Sequence, residues 1–224
     1  LHFPTRGRNL LRVQGDLLAA HALGVRNVFV IMGDPTAIGD YPEAMDNFDL
    51  APSGLVKLIK QRFNQGVDQS GSDIGQPTNF FVGCALNLAA PDPQREMDIL
   101  RRKIHNGADF IITQPIYDAS LISNFLHGYQ ATGEELKVPL LIGILPLVSA
   151  RHSAFLNQEV PGISIPEHIH QRMQTAEDQG IGPQEGIRIA IELIKEVREV
   201  AQGIYITPPF NRFDYVAEII DQSK

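Results

Sequence analysis

A single cysteine in 224 residues leaves no partner for an internal disulfide. Cys84 lies inside an apolar stretch, where a thiol packs as a small hydrophobe, and this usage points to a reducing, cytoplasmic setting. No apolar run approaches the roughly eighteen residues of a membrane span, so no membrane partner is expected. Basic residues are too few and too scattered for a general nucleic-acid binder: 19 Lys and Arg stand against 26 Asp and Glu, a formal net charge of −7. Secretory, transit and lipidation signals are missing, as are internal repeats and low-complexity tails. No Gly-x-Gly-x-x-Gly follows a strand, and there is no P-loop and no Gly-x-Ser-x-Gly elbow. The seven histidines carry no metal-site spacing; His168-x-His170 has no neighbouring cysteine or carboxylate pattern, and no metal is expected. The first residue is Leu1 rather than methionine, so the chain reads as a piece of something longer.

What is present is alternation. Apolar, strand-like runs occur at Leu1 to Phe3, Asn27 to Met32, Asn79 to Leu86, Asp109 to Thr113, Pro139 to Leu145 and Gly203 to Thr207, with helix-period segments between them. Asn9 can cap a first helix carrying Leu10, Val13, Leu17 and Leu18, with Gly24 beyond its end. Ser53 is expected to start a second helix ending near Gly66, Asp118 to open one carrying Leu121, Ile122 and Phe125, and residues 159 to 182 to hold a short helix. Pro183 fits the first turn of a long helix running to about Gln202. Near-continuous apolar strands, each followed by a helix, predict a parallel sheet covered by helices. Six such units, against the eight of a complete barrel of about 250 residues, point to one α/β domain over 1–224: a TIM (β/α)8 barrel lacking its first two β/α units. An open Rossmann-like sheet is the rival.

Polar residues at the carboxyl ends of parallel strands are where such folds keep their chemistry. Asp34 ends one run after Gly33 and opens a long loop, residues 35 to 52; it reads as a cleft carboxylate or as a loop cap. Gln114 ends another run before Pro115, suited to reading a heterocycle edge or to satisfying a loop backbone. Asn87 has similar placement. Arg101, Arg102 and Lys103 close a helix, where they complement its dipole or clamp a phosphate.

At these positions the sequence resembles the methylenetetrahydrofolate reductase family, most closely the form fused behind a homocysteine S-methyltransferase domain. The matching segments are Arg8-Asn9-Leu10-Leu11, Gly33-Asp34-Pro35, Ile38-Gly39-Asp40, Lys103 with Gly107-Ala108-Asp109, Ile112-Thr113-Gln114-Pro115, Gly143-Ile144-Leu145-Pro146, Asn157 to Ile163, and Gly203-Ile204-Tyr205 with Thr207-Pro208.

The resemblance implies a barrel holding FAD, with hydride passing from NAD(P)H to the flavin and then to methylenetetrahydrofolate in a ping-pong cycle. It implies catalytic roles for Asp34 and Gln114, and cofactor contacts from His2, Gly33, Asp34, Arg102 and Lys103. It also implies substrate contacts from Gln114, His152 and Arg212, a fused methyltransferase partner and a homo-oligomer. Met32 stands where bacterial members carry arginine, Ala85-Leu86-Asn87 where those members carry tyrosine-proline-glutamate, and His152 where some members carry glutamine. The family's glutamate general acid lies upstream of residue 1. The alternatives are a non-catalytic folate- or flavin-binding barrel and a pterin-dependent methyltransferase.

Overall fold

Each strand forms where a short apolar run meets turn residues, and each helix where apolar residues return at helical spacing. A computed structural model describes residues 1–223. The first half of the chain order is β1 (His2–Pro4), α1 (Leu10–Ala22), β2 (Asn27–Ile31), α2 (Pro52–Gln61), β3 (Phe81–Leu86), α3 (Pro93–His105) and β4 (Phe110–Pro115). There follow α4 (Ser120–Ala131), β5 (Leu140–Ile144), α5 (Ala150–Glu159), α6 (Glu167–Asp178), α7 (Gly182–Val197), β6 (Gly203–Ile206) and α8 (Phe213–Gln222). The six strands lie in the sheet in the order in which the chain makes them. The pairs β1–β2, β2–β3 and β5–β6 are parallel. A doubly wound sheet reverses its strand order at a switch point, and none occurs here, so the Rossmann-like alternative falls and the fold is TIM-barrel-like.

The chain forms two compact units, Leu1–Ala85 with Met97–Ile111, and Leu86–Glu96 with the chain from Ile112 on. In the first, the Asn9 side chain accepts from the Arg12 N–H at 2.9 Å and caps α1, whose Val13 and Leu17 are buried. Helix α2 starts at Pro52 rather than at Ser53, because a proline without an N–H and with a fixed φ suits the first turn. Its Lys60 Nζ donates to both oxygens of Asp109 at 2.8 and 2.9 Å, and Asp109 Oδ2 also accepts from the Val82 N–H at 2.7 Å. The connection at residues 67 to 78 is organised by Asp68, whose Oδ1 accepts from the Ser70 hydroxyl at 2.7 Å and the Ser72 N–H at 2.8 Å. Those bonds hold its carboxyl below the usual range.

In the second unit, Asp118 Oδ1 accepts from the Ser120 N–H at 2.8 Å at the start of α4. The expected short helix within residues 159 to 182 is the 12-residue α6. It extends because Ile169 and Met173 recur at helical spacing and enter a core with Tyr117, Leu147, Leu156 and Ile189. Burying each such side chain contributes about 1.5–3 kcal/mol. Helix α7 has Pro183 in its first turn but stops at Val197, short of Gln202. Gln202 instead pairs with the start of β5: its N–H donates to Leu140 O at 3.0 Å and its Oε1 accepts from Leu140 N at 2.8 Å.

Candidate active site

The first unit presents Asp34 just beyond β2. Gly33 turns the chain there with φ +85°, a left-handed conformation that glycine adopts without strain. A side chain at Gly33 would press on Pro4 Cβ at 3.2 Å. The turn delivers Asp34 exposed to solvent, and among the described residues its carboxylate has no hydrogen-bond or ion-pair partner. It borders an open cavity of about 390 Å³ lined also by Thr36, Ile38, Asp40 and Tyr41. A lone carboxylate left unpaired beside a cavity lends its charge to whatever enters.

Arg6, at the end of β1, fixes this region and carried no sequence signal of its own. Its Nε donates to Gly33 O at 2.9 Å, its Nη1 pairs with Asp46 Oδ2 at 2.8 Å, and its guanidinium lies 5.9 Å from the Phe48 ring centre. The long loop is tied again where Gly7 N–H donates to Asn47 O at 2.9 Å and Leu10 N–H to Asp49 Oδ2 at 2.7 Å. Only partner distances, which sequence lacks, reveal that role.

Of the remaining residues expected in this unit, His2 is exposed on β1, its ring edge-on to Phe29 at 5.2 Å. Arg102 is exposed, and its guanidinium has no partner among the described residues. Lys103 is buried, and its ammonium donates to the carbonyl of Ala85 at 2.6 Å. Of the basic trio at the end of α3, Arg101 pairs with Asp98 at 2.8 Å, so among the described residues Arg102 is the member of the trio open to a ligand.

The second unit presents Gln114 near the end of β4, exposed and with no side-chain partner among the described residues. His152, on α5, is half-buried, and its Nδ1 is buried without a hydrogen-bond partner. Desolvation lowers its pKa, so the ring is neutral at pH 7 and its orphaned nitrogen is suited to a neutral ligand group. The His152 ring lies 5.1 Å from Phe210, two residues before Arg212, so the structure gathers His152 and the loop after β6. Phe210 and Asn211 both have positive φ, 48° and 60°. Asparagine tolerates that region, whereas for phenylalanine it is an outlier. Arg212 is fixed by Asp214 at 2.6 Å, which raises its pKa, and its guanidinium covers the Tyr215 ring at 3.9 Å. Asn87 is turned to its own backbone, its Oδ1 accepting from Ala89 N–H at 3.0 Å.

The profile of the methylenetetrahydrofolate reductase family matches residues 1–224. The chain belongs to that family. It is 26% identical over 209 residues to methylenetetrahydrofolate reductase 1 of Schizosaccharomyces pombe, covering 91% of this chain and 32% of that protein. Over 185 residues it is 27% identical to reductase 2 of Saccharomyces cerevisiae, covering 80% of this chain and 28% of that one. Methylenetetrahydrofolate reductase (NADH) 1 of Arabidopsis thaliana is 25% identical over 215 residues, covering 91% and 34%. The chain thus spans about a third of the length of these reductases. Among solved structures, an uncharacterized protein from Clostridium thermocellum that binds two copies of 5-methyl-5,6,7,8-tetrahydrofolic acid superposes with a TM-score of 0.62. It has 17% identity and covers 100% of this chain and 71% of that one, a likeness of fold. No helix among the described residues is long and apolar enough to cross a membrane.

Proposed function

We propose that this chain supplies part of a flavin-dependent oxidoreductase that reduces methylenetetrahydrofolate to methyltetrahydrofolate with NAD(P)H in a ping-pong cycle. One observation carries the reading: the Asp34 carboxylate, without a partner among the described residues, stands beside an open cavity of about 390 Å³, at the carboxyl end of a parallel strand, in a chain of this family. Reduction of the folate proceeds through a cationic iminium form of the substrate, and a fixed negative charge stabilises that cation. Gln114 offers two donors and an acceptor, which match the edge of a pterin ring. His152 offers its unpaired Nδ1 and Arg212 its guanidinium to the rest of the folate.

The donor set suits FAD. Arg102 has a guanidinium without a partner among the described residues, of the kind that binds pyrophosphate. His2 is exposed, and the turn at Gly33 brings bare backbone to the edge of the cavity region. Lys103 has its ammonium already on Ala85 O and steadies the end of β3. A bound flavin would supply storage for two electrons between the two substrates. The proposal extends to a fused homocysteine S-methyltransferase domain and to self-association, both on the strength of the resemblance, and to a cytoplasmic location.

The test is Asp34→Asn in the full-length protein. Stopped-flow measurement should show the folate-consuming half-reaction slowed by about a hundredfold, in the range for loss of one electrostatic group, with the NAD(P)H-consuming half-reaction within about threefold of the parent. Equal slowing of both would remove the role assigned to Asp34.

A further inference from the structure

Among the described residues the exposed Gln114 side chain has no hydrogen-bond partner, so its placement is decided by the main chain that carries it. That main chain is braced in an unusual way. The amide of Gly143, on β5, donates to the hydroxyl of Thr113 at 2.9 Å, a buried side-chain acceptor where a strand amide ordinarily finds a carbonyl. The carbonyl of the same Gly143 accepts from the Ile116 N–H at 3.3 Å. One residue of β5 therefore holds the chain on both sides of Gln114.

Gly143 also lets the strand end lie against it. A Cβ there would sit 2.5 Å from Thr113 O and 3.0 Å from both Gln114 C and Pro115 N, all backbone atoms that cannot swing aside. Pro115 further confines Gln114 to extended conformations. One residue past Ile116, the Tyr117 hydroxyl donates to Leu145 O at 2.8 Å, and burial pushes its pKa up so that it keeps the proton it donates.

We infer that Thr113 is a positioning residue: its hydroxyl, by accepting the Gly143 amide, sets the direction from which the Gln114 amide meets the folate. This rests on the reading that Gln114 binds folate. Threonine's methyl is a matter of packing, whereas its oxygen is the acceptor, so serine satisfies the requirement and the isosteric valine does not.

The test is the affinity of the full-length protein for 5-methyltetrahydrofolate, measured by calorimetry for Thr113→Val, Thr113→Ser, Gln114→Ala and the Thr113→Val/Gln114→Ala double variant. Thr113→Val should weaken binding by about tenfold in the parent and by less than about twofold once Gln114 is already alanine, because a residue acting through another has nothing left to position. Thr113→Ser should stay within about twofold of the parent in affinity. If Thr113→Val weakens binding equally in both backgrounds, its effect is structural and the inference is overturned. The same follows if it leaves affinity unchanged while Gln114→Ala weakens it. Should Thr113→Val fail to fold, a folded Thr113→Ser with parental affinity supports the inference, and one with lost affinity overturns it. A parent that does not bind the folate, or a Gln114→Ala that binds as well as the parent, overturns the underlying reading and the inference with it.

Discussion

Arg6→Ala should loosen the loop beyond Asp34 and lower the stability of the unit that carries it. The substitution removes a bond to Gly33 O at 2.9 Å, an ion pair with Asp46 at 2.8 Å and a ring contact with Phe48 at 5.9 Å. A hydrogen bond from a charged donor is worth about 1.5–3 kcal/mol. The ion pair, with side chains 19% and 38% exposed, adds less than about 1 kcal/mol because solvent screens it. The expected loss is therefore about 2–4 kcal/mol, or roughly 4–16 °C in melting temperature for a domain of this size. Asp46→Asn should cost about 1 kcal/mol or less, and Arg6→Ala/Asp46→Asn should fall short of the sum of the singles because the two residues share a bond. The assay pairs calorimetric melting with limited proteolysis, read by mass spectrometry for cuts within residues 36 to 48, where Ile38, Tyr41 and Met45 are exposed. A variant that melts within about 1 °C of the parent and is cut no faster would refute the claim that Arg6 fixes this loop.

Gly143→Ala places a methyl against three backbone atoms and should destabilise by about 1–3 kcal/mol, read as a lower melting temperature; an unchanged melting temperature would mean that β4 and β5 have room to part. His152, whose pKa burial lowers, contributes through proton linkage. As pH falls below about 6.5 the unfolded chain takes up a proton that the folded ring resists, so stability declines with falling pH and levels off once the folded pKa is passed. His152→Gln should flatten that part of the curve, and melting temperatures from pH 7.5 to 4.5 that fall in parallel for both proteins would assign the slope elsewhere.

The strands were legible because their apolar runs are short and bounded, as in Val28-Phe29-Val30-Ile31 before Gly33 and Phe110-Ile111-Ile112-Thr113 before Gln114. Helix starts were legible where a side chain does the capping, as at Asn9, and misread where Pro52 opens a helix in place of Ser53. The extent of α6 and the early stop of α7 depend on tertiary partners, the core around Met173 and the pairing of Gln202 with Leu140, which local spacing does not encode. Asp34 and Gln114 were legible as polar residues ending apolar runs. Arg6, Phe210 and the hydroxyl of Thr113 were not. Their parts depend on a carbonyl 27 residues away for Arg6, on positive φ at Phe210, and on an amide 30 residues away for Thr113.

The proposed reductase chemistry depends on a bound flavin. The most direct measurement is the visible absorption spectrum of the purified full-length protein, recorded anaerobically before and after NADH and again after methylenetetrahydrofolate. Flavin bands that bleach with NADH and return with the folate are the predicted result. A protein that shows no flavin bands even after FAD is added, or whose bleached bands do not return with the folate, would rule out the proposed reductase cycle.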